Sequence, residues 1–506
     1  MFSQNSYMGL RGRGLRIAQI AFIVAPGFTL FGYNQAGLGP LATLHSWAHQ
    51  FPSLDTVNTT GPLKSHNSIN SGAVIASFQI GSLIGALSCI FLGDLLGRRR
   101  TIFLAAFLTL IGQVLQVSAY NLIQFVIGRL VLGLGIGEIS VMIPVWLAEC
   151  SPAAHRGRDV VTAGIFLCFG YSVCNWVDFA FYHLPSTNLQ WRLPLAVVSL
   201  PLSLVMMFMV FFLPESPRWL VRVGRTEEAA KNLSVIKDLS VEDDRIRFEI
   251  AQIESSLERQ REATLPVLPM HIPTIFQQMC GGNLISVYAS TIFQQNLNLE
   301  VSLAKILAAC ALTWKCLCCF VAFIAIDRWG RRAVFMISGA GMSMCMLSLA
   351  VSTSFPSSNK SASIASAFFI FLFNFFYPIG FLGANFLYCS EIAPVRLRVA
   401  MSSISTANHW LWNFVVVMVT PVALDTIGYR YYVMYTIISA LIPISVYFFY
   451  PETMNQNLET LNNLFRDAPS AFKVVSLSLN VPRGELDEES LGKEGHGGVA
   501  EQVEKI

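Results

Sequence analysis

Long apolar stretches separated by short polar or basic segments run along the chain. Stretches of membrane-spanning length fall at 17–40, 72–92, 101–119, 122–146, 160–183, 193–213, 272–295, 302–326, 333–354, 364–389, 401–424 and 431–450. A helix needs about 20 mostly apolar residues to cross the hydrocarbon core of a bilayer. Lipid offers the backbone no water to bond, so helices are the expected form of these stretches. They are too long and too continuous for barrel strands, whose apolar positions alternate. The pattern predicts an all-α membrane protein of twelve spanning helices.

Composition agrees and excludes other classes. Of 506 residues, 54% are hydrophobic and 13% charged, against roughly 25% charged in a soluble domain. That excludes an ordinary soluble enzyme, a disordered chain and a nucleic-acid binder, and makes the lipid bilayer the expected surroundings. The eleven Cys lie almost entirely in apolar stretches, with Cys316, Cys318 and Cys319 clustered in one. They read as small hydrophobes, so no metal is expected. No HExxH, GxSxG or Walker sequence is present, so neither catalysis, a cofactor nor ATP-driven pumping is expected. Met1 to Arg16 is polar and basic and leads into a stretch long enough to span, which reads as an uncleaved membrane signal.

Basic residues set the orientation. Arg11, Arg13, Arg16, Arg98 to Arg100, Arg156, Arg158, Arg328, Arg331, Arg332, Arg396 and Arg398 occupy one set of loops; the opposite set holds little beyond Lys64, Arg192, Lys360 and Arg430. The positive-inside rule then places both termini in the cytoplasm, with the plasma membrane as the expected location. The predicted organisation is a cytoplasmic N-terminus at 1–16, six-helix halves at 17–213 and 272–450, a cytoplasmic loop of short amphipathic helices at 214–271, and a cytoplasmic tail at 451–506. The tail is acidic and Gly-containing from Gly484 and reads as partly disordered. Sequons at Asn58 and Asn359 fall outside and are expected to carry glycans; a third, at Asn232, falls inside.

Three signals recur in the same order. Gly93-Asp94-Leu95-Leu96-Gly97-Arg98-Arg99-Arg100 is matched by Asp327-Arg328-Trp329-Gly330-Arg331-Arg332. Glu149, Pro152 and Arg156 are matched by Glu391, Pro394 and Arg398, and Pro214-Glu215-Ser216-Pro217 by Pro451-Glu452-Thr453. Three pairs in one order argue for two six-helix halves in parallel orientation. Asp94, Arg98, Arg99, Glu149, Arg156, Glu215, Arg218, Asp327, Arg331, Glu391 and Arg398 read as a cytoplasmic gate. In it, bidentate Arg–carboxylate pairs hold the halves together while the centre opens outward. The plainer alternative is charge that only sets topology.

These motifs resemble the sugar porter family of the major facilitator superfamily, in particular its fungal members. The resemblance covers residues 25–465. It rests on G-D-x-x-G-R-R-R at 93–100, G-R-x-x-x-G-x-G-x-G at 128–137, P-V-W-L-A-E-C-S-P-A-A-H-R-G at 144–157 and P-E-S-P-R-W-L at 214–220. Gln277-Gln278-Met279-Cys280-Gly281-Gly282-Asn283, D-R-W-G-R-R, E-I-A-P-V-R-L-R and P-E-T complete it. It implies the major facilitator fold, twelve transmembrane helices in two six-helix pseudo-repeats, with one central site and alternating access. It implies that amides of the seventh stretch, here Gln277, Gln278 and Asn283, bond the hydroxyls of a small-molecule substrate, since amides donate and accept without charge; the alternative for them is bonding between helices. By the same resemblance, Tyr288 matches a family tyrosine, His409-Trp410 stand where an amide and a Trp are common, and Phe386 stands at a family Trp position.

Departures from the family pattern point to what is particular here. Two glutamine positions of hexose porters read Gly164 and Tyr171, and a frequent Asn reads Lys315, in the middle of the eighth stretch. A Lys at the bilayer centre costs about 2.5–3.5 kcal/mol, so Lys315 is expected to line the pocket; snorkelling or an ion pair is the alternative. Glu138 and Asp178 are also ionisable, and Glu138 is a candidate partner for Lys315 or Arg129. Family symporters often carry an Asp in F-G-Y-D near the Arg that Arg129 matches; here the segment is Phe31-Gly32-Tyr33-Asn34. Asn34 cannot titrate, which favours passive uniport. Arg129, Glu138 and His409 are the groups left for protons as a coupled partner, although a lone His reads better as a neutral bonding group. The expected substrate-binding set is Asn34, Tyr171, Gln277, Gln278, Asn283, Tyr288, Lys315, Phe386, His409 and Trp410. The expected function is secondary transport of a small polyhydroxylated solute, a sugar or a relative. The alternatives are a carboxylate or secondary metabolite paired with Lys315, and, behind these, a non-transporting nutrient sensor.

Overall fold

The computed structural model describes residues 6–56, 58–151, 156–185, 187–259, 275–296, 299–356, 359–382, 398–452 and 475. Six long helices come first: α1 (Gly12–Leu41), α2 (Gly61–Leu95), α3 (Arg98–Val117), α4 (Leu122–Cys150), α5 (Arg156–Tyr182) and α6 (Leu189–Phe212). Three short ones follow: α7 (Pro217–Arg222), α8 (Thr226–Lys237) and α9 (Asp244–Arg259). Then come α10 (Gly282–Thr291), α11 (Val301–Trp329), α12 (Arg331–Thr353), α13 (Lys360–Leu382), α14 (Arg398–Thr426) and α15 (Arg430–Phe449). Among the described residues, eleven helices are long and apolar enough to cross a membrane. Their outward faces carry bare apolar side chains, among them Phe91, Ile364 and Met344, 75%, 71% and 70% exposed. Such a belt is stable only against lipid.

The seventh predicted stretch differs from the other eleven. Helical residues 275–279 stop at Cys280 and Gly281, and the chain restarts as α10 before a π-helical turn at Ile292–Asn296. Gly281 takes φ +90°, the left-handed region open to glycine. Tyr288, inside α10, sits at φ −108° and ψ 17°, off the helical values. Irregular backbone at membrane depth is tolerated only where protein buries it or a cavity adjoins it, so the break already marks this segment as interior. The second stretch also differs: α2 begins at Gly61, well before the predicted 72. A polar helix start continues the span beyond its apolar part, and the link back to α1 folds as a short helix at His45–Gln50 and a 3-10 turn at Pro52–Leu54.

Glycines of the 128–137 motif place α4 at the centre of the first half. A Cβ at Gly133 or Gly137 would strike the α2 carbonyls of Phe78 or Ser82, and one at Gly135 would strike α3. Small residues let membrane helices approach this closely where no hydrophobic effect drives them together. The two halves meet along two seams, α2 against α14 and α5 against α11. The chain start packs on the middle loop: Tyr7 OH donates to Asn232 Oδ1 at 2.7 Å, and Arg11 pairs with Asp238 at 3.1 Å. Residues 6–11 and α7–α9 therefore share one face, termed the near face. Asn232 is buried there and donates to the Glu215 carbonyl at 3.0 Å, so its sequon is closed off.

Candidate functional site

The break before α10 puts three amides at the centre of the molecule. Gln277 and Gln278 precede the break, Asn283 follows it, and all three are buried. Gln278 Nε2 lies 2.8 and 2.9 Å from the two ring nitrogens of His409 on α14, and His409 Nδ1 lies 3.0 Å from Gln277 Oε1. A neutral ring protonated at Nδ1 satisfies both, donating to Gln277 and accepting from Gln278 at Nε2. Asn283 Nδ2 donates to Gln278 Oε1. Gln35 Nε2 on α1 donates to Asn283 Oδ1 at 3.2 Å, and Tyr171 OH on α5 donates to Gln35 Oε1 at 2.6 Å. The result is a continuous uncharged chain, Tyr171–Gln35–Asn283–Gln278–His409–Gln277, which crosses from the first half into the second.

Lys315 lies beside one end of this chain. Its Nζ donates to Ser286 Oγ on α10 at 2.7 Å and sits 4.7 Å over the rings of both Tyr171 and Tyr377. Desolvated cation–π contacts are worth about 2 kcal/mol or more, so the ammonium is held without a bonded carboxylate among the described residues. Trp410 on α14 packs against the first half: its ring lies 4.9 Å from Phe31, and its Nε1 donates to Ser140 Oγ at 3.2 Å. Tyr288 OH donates to the Val417 carbonyl at 2.9 Å, within the second half.

Other expected residues lie apart from the chain. Asn34 Nδ2 donates to the Leu30 carbonyl at 2.9 Å, and its Oδ1 accepts from Ser199 at 3.2 Å. Its neighbour Gln35 makes the central contact instead. Arg129 bonds the Ile75 carbonyl at 2.9 Å and lies 5.0 Å over Phe78. Glu138 accepts from Ser88 at 3.2 Å, so the described bonds pair it with neither Lys315 nor Arg129. Asp178 is buried, accepting from Cys174 Sγ at 3.6 Å, with Lys305 as an electrostatic partner. Phe386 and Glu391 lie outside the described residues, as do the side chains of Arg156, Asp327 and Arg398.

The near-face charges form two copies of one device. Gly97 has φ +86° and Gly330 φ +83°. Each ends one helix and opens the next, leaving bare N–H groups at the start of α3 and of α12. Glu215 accepts from Arg98 N at 3.2 Å and Arg99 N at 3.1 Å; Glu452 accepts from Arg331 N at 3.1 Å and Arg332 N at 3.2 Å. A carboxylate at a helix N-terminus meets both the orphan donors and the positive end of the dipole. Burial pushes the Glu215 carboxyl up from its ordinary value, opposed by N–H bonds from Ser216 and Arg99. Arg98 makes a bidentate pair with Glu149 at 2.9 and 3.0 Å and reaches Asp94 at 3.4 Å. Asp94 also pairs at 2.7 Å with Arg222. These bonds join residues of one half; the expected partners Arg156, Asp327, Glu391 and Arg398, through which the halves would be clasped, lie wholly or by their side chains outside the described residues. The Glu of each P-E motif caps a helix of its own half.

The sugar (and other) transporter family model matches residues 20–465. The chain belongs to this family. The transporter is 30% identical over 485 residues to the sugar transporter STL1 of Saccharomyces cerevisiae, covering 92% of this chain and 84% of that one. It is 32% identical to the major facilitator superfamily transporter mfsA of Aspergillus fumigatus, covering 91% and 88%. Among solved structures, it is similar to the proton:xylose symporter XylE bound to 6-bromo-6-deoxy-D-glucose, with a TM-score of 0.78 at 23% identity over 89% of this chain and 99% of that one. The transporter is thus a multi-pass membrane protein of the major facilitator fold. Four contributors to its centre are absent from the expected set: Gln35, Ser140, Ser286 and Tyr377. Their only sequence signal is a polar or amphipathic residue within an apolar stretch, a signal shared with many purely structural groups.

Proposed function

We propose that this transporter carries a sugar, or a close polyhydroxylated relative, passively across the plasma membrane by alternating access between its two halves. The observation that carries the reading is the uncharged polar chain from Tyr171 to Gln277 spanning the interface of the halves. Each of its amide bonds can be exchanged for a bond to a substrate hydroxyl without stranding a charge. Substrate entering between Gln35 and Asn283 replaces a bond between halves with bonds to itself, which couples binding to their relative motion. Relatives named as a sugar transporter and as high-affinity glucose transporters support the substrate class. Lys315 is satisfied by Ser286 and two rings, so the site does not require an anionic substrate.

Passive transport is supported at Asn34, which is tied to Ser199 and cannot titrate. Tracer sugar uptake is expected to equilibrate across the membrane, and to persist at the same initial rate when a protonophore collapses the proton gradient. Accumulation above the outside concentration, abolished by the protonophore, refutes uniport in favour of coupling.

The near face is cytoplasmic in this reading, and its Arg–carboxylate clusters stiffen each half so that it moves as a body. Asn58 and Asn359 then face outside. Both are exposed, Asn359 at the N-cap of α13. Endoglycosidase treatment of the protein from a glycosylating host is expected to increase its mobility, with Asn58→Gln and Asn359→Gln each giving part of the shift. An unchanged band in the untreated double variant refutes glycosylation at these positions.

A further inference from the structure

We propose that Cys168 and Cys319 form a peroxide-sensitive modification site, a reversible disulfide that fastens the two halves to each other. Cys168 lies on α5 of the first half and Cys319 on α11 of the second. Cys319 Sγ donates to Cys168 Sγ at 3.3 Å, and both residues are buried. Their neighbours hold the same seam in register: Ser172 and Thr313 hydroxyls lie 2.8 Å apart, and Trp176 Nε1 donates to Thr313 Oγ1 at 2.9 Å. A disulfide has its sulfurs about 2.05 Å apart, so the pair must close by about 1.2 Å. The attacking species is the thiolate. Lys315 lies one helical turn before Cys319 on the same helix, α11.

The chemistry balances with one peroxide. One thiolate attacks a peroxide oxygen, the O–O bond breaks, and hydroxide leaves as the sulfur becomes a sulfenic acid. The second thiolate attacks that sulfur, the S–S bond forms, and a second hydroxide leaves. The two thiol protons convert both hydroxides to water, and the two electrons lost by sulfur reduce the peroxide. Hydrogen peroxide is small and neutral, so it can reach a buried seam. A dithiol reverses the change by exchange. Alternating access requires α5 and α11 to shift against one another, so a covalent bond between them arrests the cycle. The arrest rests on the alternating-access reading, whereas the crosslink does not.

The test uses the full chain with a protease site inserted between residues 259 and 275, reconstituted in vesicles. After hydrogen peroxide and proteolysis, the two halves are expected to run as one band without reductant and to separate with dithiothreitol. Tracer uptake is expected to fall to background and recover on reduction. Cys168→Ser and Cys319→Ser should each abolish both effects while keeping uptake in the reduced state. Mass spectrometry of the oxidised wild type, which needs no variant to fold, should find the linked peptides holding residues 168 and 319. Halves that separate after oxidation, or stay joined in both serine variants, overturn the site. A crosslink with undiminished uptake overturns the arrest. Absence of sugar uptake in the reduced wild type refutes the transport reading instead, and leaves the crosslink to be judged on its own.

Discussion

Replacing Gln278 with leucine is expected to raise the KM for sugar uptake about tenfold or more, with the amount of transporter in the membrane unchanged. Gln278 sits at the middle of the polar chain, against both His409 and Asn283. Leucine has nearly its volume but can neither donate nor accept, so packing survives and bonding does not. Leaving buried polar partners unsatisfied costs about 1–3 kcal/mol, and each 1.4 kcal/mol is about tenfold in affinity. The loss appears when substrate binds because the site is built to exchange amide bonds for hydroxyl bonds. Asn34→Leu provides the contrast: that residue bonds Leu30 and Ser199 away from the chain, so its KM should move much less. Initial-rate uptake against sugar concentration, normalised to transporter abundance, decides the matter. A Gln278→Leu KM indistinguishable from wild type removes this residue from the binding site.

The second large effect is on stability. Arg98→Met is expected to destabilise the transporter by about 3–5 kcal/mol, the usual cost of breaking a buried ion pair from one side. The Arg98 side chain is 4% exposed and that of Glu149 1% exposed. Methionine fills the space but leaves the Glu149 carboxylate without its bidentate partner, and the Gly93 carbonyl loses a donor at 3.0 Å. The double variant Arg98→Met with Glu149→Leu should recover much of the loss, since replacing both members of a buried pair by apolar groups is often neutral. Thermal unfolding in detergent of the wild type and the three variants closes the cycle. A single variant as stable as wild type shows that the pair contributes little, and a double variant worse than either single shows that the partners act separately.

Much of this architecture is legible in the chain, for a physical reason. A backbone in lipid must satisfy its hydrogen bonds within the segment, so an apolar stretch of sufficient length has essentially one available conformation. That is why eleven of the twelve stretches reappear as spanning helices. The exception also has a sequence signal, Gly281-Gly282 inside the seventh stretch, but a glycine pair alone does not distinguish a break from close helix packing. The repeated motifs were legible as well, and the family resemblance picked out the amides Gln277, Gln278 and Asn283. Their partners were not. Gln35 meets Asn283 across 248 positions of sequence, and nothing periodic links them. Asn34, the residue singled out beside it, points to another neighbour because adjacent helical residues lie about 100° apart around the axis.

The near face shows the same division. Sequence spacing identified which carboxylates and arginines belong to one repeated unit. Which helix end each carboxylate caps depends on the positive φ of Gly97 and Gly330 and on how the helices of each half pack. By itself, then, the sequence determined the membrane helices, the duplication and the family, because those follow from local hydrophobicity, the demands of lipid on the backbone and short motifs. The tertiary structure alone decided how Gln35 joins Asn283, how two rings hold Lys315 and how Cys168 faces Cys319, because each contact is made by helices far apart in the chain and placed by packing.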